Sequence, residues 1–191
     1  MNPIFAAALE VEGFCAARGF RFCFIGGVAV QRWGKPRLTV DVDLTLLTGF
    51  GTEAPFVDAL LSQFPGRRPD ARAFALQHRV ALLKSTNAVD VDVSLGAMPF
   101  EERAIERASA FEPRPGLRLT TCCAEDLIVH KAFADRPKDW ADVEGVAMRQ
   151  AGRLNERQIF EELRPLIELK EAPDIEDRLR RVLNAARPQR P

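Results

Sequence analysis

Long apolar runs are missing from this 191-residue sequence. No stretch approaches the roughly 20 residues that cross a bilayer, and the N-terminus MNPIFAAALEVEGF carries glutamates where a secretory signal needs lysine or arginine. A cytoplasmic protein with no membrane partner is expected. Net charge is lacking too, because 27 basic and 27 acidic residues cancel. No global positive field therefore gathers nucleic acid by counterion release, and such a partner would have to meet a local patch. Histidine and cysteine are few and badly spaced for zinc: His78 and His130 stand far apart, and Cys15, Cys23, Cys122 and Cys123 form no CxxC pair. Reduced, buried thiols are the ordinary state of such cysteines. Neither histidine has a serine or cysteine partner that the sequence nominates, so a catalytic triad has no support.

What is present is the composition of a globular protein, 47% apolar and 28% charged, long enough for one core or one core with a helical appendage. Helical spacing over 2–18 stops at Gly19, and FCFIGG is a short β-prone run ending in glycine. VAVQRW reads as a brief helix closing at Gly34, and residues 39–47 as a strand. Helices are predicted near 54–64 and 70–77, with GRRPD as a breaker between them. RVALLKS and AVDVDVSL read as a hairpin turning at Thr86-Asn87, followed by a surface helix from Pro99 to Ala108. Pro113 and Pro115 mark a boundary, LRLTT is a short strand, and the pattern beyond about residue 123 is helical. This order predicts an α/β (α+β) fold. Its expected parts are a core over 1–115, a helical C-terminal part over 116–186 and a disordered tail over 187–191.

Chemistry concentrates in PRLTVDVDL, residues 36–44. A strand alternates its side chains, so Asp41 and Asp43 share one face while Val40, Val42 and Leu44 share the other. The pattern recurs in AVDVDVSL, where Asp90 and Asp92 share a face. Adjacent strands would gather three or four carboxylates, a repulsive cluster that a hard divalent ion such as Mg²⁺ or Mn²⁺ relieves. Such ions also support phosphoryl transfer. The upstream pair Gly26-Gly27 fits, since glycine amides opening a helix can approach a triphosphate closely. A plain tight turn would use the pair equally well.

Gly26-Gly27, thirteen residues, then Asp41-Val42-Asp43-Leu44 resembles the signature of the nucleotidyltransferase fold superfamily. Arg37-Leu38-Thr39 just before the first aspartate is similar to the AbiEii/AbiGii toxin type. Downstream, Arg136-Pro137-Lys138-Asp139-Trp140-Ala141-Asp142 resembles the RxKDxxD motif of that group, preceded by a helix holding Glu125-Asp126-Leu127 and Lys131. The resemblance implies a mixed sheet flanked by helices, with metal bound by Asp41, Asp43 and a third carboxylate. Asp92 is favoured as the third, as ligand or base, and Asp90 is the alternative. It further implies transfer of a nucleoside monophosphate from an NTP donor to an acceptor hydroxyl on RNA, tRNA or a protein, and a cognate antitoxin. Gly26, Gly27, Arg37, Thr39, Lys131 and Lys138 are the implied nucleotide-binding residues, and Asp139 contacts the nucleotide or a catalytic water. For Arg136, Lys138, Asp139 and Asp142 the competing account is a set of ion pairs at a helix start. Arg37 reaches a phosphate or else neutralises acid. Trp33 and Trp140 suit a core as well as a base, and the arginine-rich stretches 67–72 and 178–187 are solvated faces or an acceptor surface. A small-molecule nucleotidyltransferase and a non-catalytic nucleotide-binding module are the rival functions.

Overall fold

The computed structural model describes residues 2–187. Its chain divides into two compact units, one of Met1–Val28 with Leu38–Cys122 and the other of Ala29–Arg37 with Cys123–Pro191. The first unit is built on a mixed sheet of six strands in the order β3-β4-β2-β1-β6-β5. These are β1 (Phe22–Phe24), β2 (Asp41–Leu47), β3 (Val80–Lys84), β4 (Asp90–Gly96), β5 (Ser109–Arg114) and β6 (Leu117–Thr121). β2 runs parallel to β4 and antiparallel to β1. The α/β fold class and the mixed sheet expected from the sequence are both observed.

One face of this sheet makes the core. Val42, Leu44, Leu46, Val91, Val93 and Leu95 are buried there, as the period of two in each strand requires. Against them lies α1 (Pro3–Ala17), whose Ile4, Ala7, Ala8, Val11, Phe14 and Cys15 recur at helical spacing on one stripe. Asn2 caps that helix, accepting from the Ile4 N–H at 2.9 Å, and Pro3 occupies its first turn, where no backbone donor is required. Val57 and Leu60 of α3 (Ala54–Gln63) and Ala75 of α4 (Ala71–His78) complete the core. On the opposite face α5 (Pro99–Glu106) touches β1 and β2. The Glu101 carboxylate closes its first turn by accepting from the N–H groups of Ala97 and Met98 at 2.8 and 2.9 Å.

β5 was not expected, because Pro113 and Pro115 read as punctuation. It pairs with β6 alone, at the edge of the sheet, where a missing proline N–H breaks no ladder. β6 in turn pairs with β1, and the first unit extends through Cys122. The hairpin between β3 and β4 is a three-residue loop, Thr86–Ala88, with Ala88 in the left-handed region at φ 64°.

The second unit is helical. α6 (Ala124–Ala134), α7 (Pro137–Arg149), α8 (Glu156–Lys170) and α9 (Asp174–Ala186) bury Leu127, Ile128, Trp140, Val143, Ile159, Leu163 and Leu179 among themselves. Residues 29–37 belong to this unit and are tied down by side chains. Arg149 donates to the Gly34 carbonyl at 2.7 Å and Gln150 to the Trp33 carbonyl at 2.8 Å. α2 (Gly26–Trp33) begins in the first unit and ends in the second. The tail expected to be disordered lies outside the described residues from 188 onward. No helix among the described residues is long and apolar enough to cross a membrane.

Candidate active site

The parallel register of β2 and β4 sets Asp41 beside Asp90 and Asp43 beside Asp92. With Val42, Leu44, Val91 and Val93 wholly buried in the core, all four carboxylates project from the other face of the sheet. Two separate DxD sequences thus make one acidic patch.

The glycine turn is fitted to this patch. Gly26 has φ 54°, and a Cβ there would overlap the carboxylate of Asp43. A Cβ on Gly27 would overlap the hydroxyl of Thr39. Only glycine lets the start of α2 approach so closely. Thr39 is held in turn, its hydroxyl donating to Asp41 Oδ1 at 3.0 Å. Gly26, Gly27, Thr39, Asp41 and Asp43 therefore form one contiguous group, as their spacing in the sequence suggested.

Electrostatics separate the four acids. Asp90 accepts from Lys84 Nζ at 2.7 Å and from Arg67 Nη1 at 2.5 Å, and the Lys84 hydrogen bond leads in holding its carboxyl below the usual range. Asp92 accepts from Arg67 Nη2 through Oδ1. Burial pushes the Asp92 carboxyl up, Arg67 pulls it down, and the charges of Asp41 and Asp90 add to a net rise. Arg67 was absent from the sequence-derived site, since GRRPD reads as a surface breaker. Its partners lie 23 and 25 residues away, beyond any local pattern.

The donor chemistry fits a hard divalent ion, with carboxylate oxygens on one face and a glycine turn beside them. Among the described residues, no group of three or more His, Cys, Asp and Glu side chains gathers into a metal cage. That is compatible with Mg²⁺, which commonly takes one or two carboxylates and fills its remaining positions with water and substrate phosphate.

The downstream motif forms a cluster of its own in the second unit. Lys131 is buried and donates to Asp139 at 2.8 Å and to Asp142 at 2.9 Å. Arg136 closes on Asp139 at 2.5 Å, and Arg37 grips Asp142 with two hydrogen bonds of 2.6 and 2.8 Å. Burial pushes both carboxyls up, but the hydrogen bonds from Arg136 and Lys131 to Asp139, and from Arg37 and Lys131 to Asp142, more than reverse it. Both acids stay ionised in a buried place. Lys138 is exposed, and Trp140 is buried with its indole N–H donating to Asp135 at 2.6 Å.

Known proteins share the fold. A crystal structure of an antigenic nucleotidyltransferase-like protein from Paracoccidioides brasiliensis superposes with a TM-score of 0.53 at 16% identity, over 92% of this chain and 91% of that one. The solution structure of the antibiotic-resistance factor ANT(2'')-Ia gives a TM-score of 0.53 at 12% identity, over 91% of this chain and 96% of that one. At such identities the likeness is one of fold. No curated protein matches the sequence. The family model described as nucleotidyl transferase AbiEii toxin, type IV TA system, matches residues 15–186. The chain belongs to the AbiEii family, and it is a nucleotidyltransferase by class.

Proposed function

We propose that this protein moves a nucleoside monophosphate from an NTP to an acceptor hydroxyl on RNA or protein, with a divalent ion at Asp41 and Asp43, as the toxin of a toxin–antitoxin pair. The observation that carries the proposal is the register of β2 and β4, which puts both DxD sequences on one face beside the glycine turn. The family supports a toxin with a cognate antitoxin.

The ion, when bound, draws charge from the triphosphate and steadies the departing pyrophosphate. The amides of Gly26 and Gly27 open α2 toward phosphate oxygens, and Thr39 keeps Asp41 oriented for the ion. The acceptor oxygen attacks the α-phosphorus, and the bond from that phosphorus to the β-phosphate bridging oxygen breaks. Asp92 takes the acceptor proton. Its raised carboxyl pKa suits a base better than that of Asp90, which Lys84 holds low. Lys138, exposed in the first turn of α7, is the motif lysine available to a nucleotide phosphate. Lys131 pairs with Asp139 and Asp142, and Arg37 with Asp142, fixing α7 and the segment that leads to β2.

Incubation with each of the four α-labelled NTPs, Mg²⁺ or Mn²⁺, and total RNA or protein tests the proposal. Label transferred with release of pyrophosphate is expected, and the band identifies donor and acceptor together. Binding of NTP with no pyrophosphate released under any combination would instead mark a nucleotide-binding module.

A further inference from the structure

Arg67 reaches the acidic face from outside it. Its backbone is fixed as a one-bridge extension of the edge strand β3: Gly66 bridges to Leu83, Lys84 N–H donates to the Pro65 carbonyl at 2.9 Å, and Arg67 N–H donates to the Leu82 carbonyl at 2.9 Å. Gly66 permits this, since a Cβ there would overlap that of Ala71 at the start of α4. From this anchored backbone the Arg67 side chain runs to β4, and only 22% of it remains exposed. One Nη serves Asp90 and the other serves Asp92. A guanidinium is always protonated, and its fork of donors matches carboxylate oxygens. With Lys84 on Asp90 as well, the two β4 carboxylates arrive with two positive charges of their own.

We propose that Arg67 is a built-in cation that keeps the β4 carboxylates out of the metal-binding set. The protein then holds one divalent ion, from Asp41 and Asp43, where a third strand carboxylate would otherwise recruit a second. Asp92 is positioned by Arg67 as a carboxylate that faces the acceptor without ligating metal. A second divalent ion entering at Asp92 would have to displace a hydrogen-bonded arginine whose backbone is locked into the sheet edge, against like charge. The inference rests on the function proposed above and deepens it, since it makes Arg67 a positioning residue and sets the number of metal ions.

Counting Mn²⁺ by electron paramagnetic resonance, on the full chain saturated with a non-hydrolysable NTP analogue, tests this without relying on activity. One ion per chain is expected in the wild type and in Arg67→Lys, and two in Arg67→Met. Asp92→Asn in the otherwise wild-type chain should leave Mn²⁺ affinity within about twofold, an outcome that does not depend on how well the Arg67 variants fold. A wild-type count of two, or a tenfold or greater loss of affinity in Asp92→Asn, would overturn the inference and leave the nucleotidyltransferase proposal standing. A wild-type complex that binds no Mn²⁺ would overturn both.

Discussion

Gly26 stands at φ 54° with the Asp43 carboxylate where its side chain would be. Both facts penalise any other residue, the first through backbone strain and the second through overlap with the carboxylate proposed to hold an ion. Gly26→Ala is therefore expected to move the Asp43 carboxylate by about 1 Å and to lower transfer by about a hundredfold, the penalty such a misplacement can carry. Steady-state kinetics alongside circular dichroism check this, with an unchanged spectrum expected. The glycine pair was legible as a turn at the start of a helix. Which carboxylate it touches was not, because that depends on how β2 is laid beside the start of α2.

Whole elements were read more securely than their neighbours. The positions of α1, β2, the β3–β4 hairpin and α5 follow from periodicity and from glycine and proline punctuation, which are local. β5 escaped because the same punctuation is tolerated at a sheet edge. The pairings that make the two charged clusters are non-local: Arg37 meets Asp142 across 105 positions, and neither side carries a mark that names the other. The second of these clusters makes a stability claim. Lys131, Asp139 and Asp142 are buried, so removing the lysine leaves two acids with one arginine each. Lys131→Met is expected to cost about 3 kcal/mol, the low end for breaking a buried pair, because Arg136 and Arg37 remain. Trp33 and Trp140 both belong to the second unit, so urea unfolding followed by tryptophan fluorescence reports on it directly. A shift equivalent to less than 1 kcal/mol would mean that the cluster does not hold α7.

At the scale of the molecule, the charges that cancel in the composition also pair locally within both arginine-rich stretches. The basic stretches that offered themselves as nucleic-acid faces are answered by acids: Arg68 by Asp70, Arg72 by Asp58, Arg178 by Asp135, Arg180 by Glu176 and Arg187 by Glu156. These two stretches would offer an acceptor RNA little counterion release. Labelling of an RNA acceptor is therefore expected to fall by less than about tenfold between 50 and 200 mM salt, against the thousandfold or more seen when many phosphates are neutralised. A steeper fall would reveal a basic face that these pairs do not quench.

The acidic face of β2 and β4 is the centre of this account, and Asp41 and Asp43 are its most exacting point. Transfer of α-labelled nucleotide by the wild type, Asp41→Ala and Asp43→Ala, with and without Mg²⁺ or Mn²⁺, measures it most directly. Metal-dependent label is expected in the wild type and background alone in either variant, with both variants folded. Label transferred at the wild-type rate by both variants would contradict it.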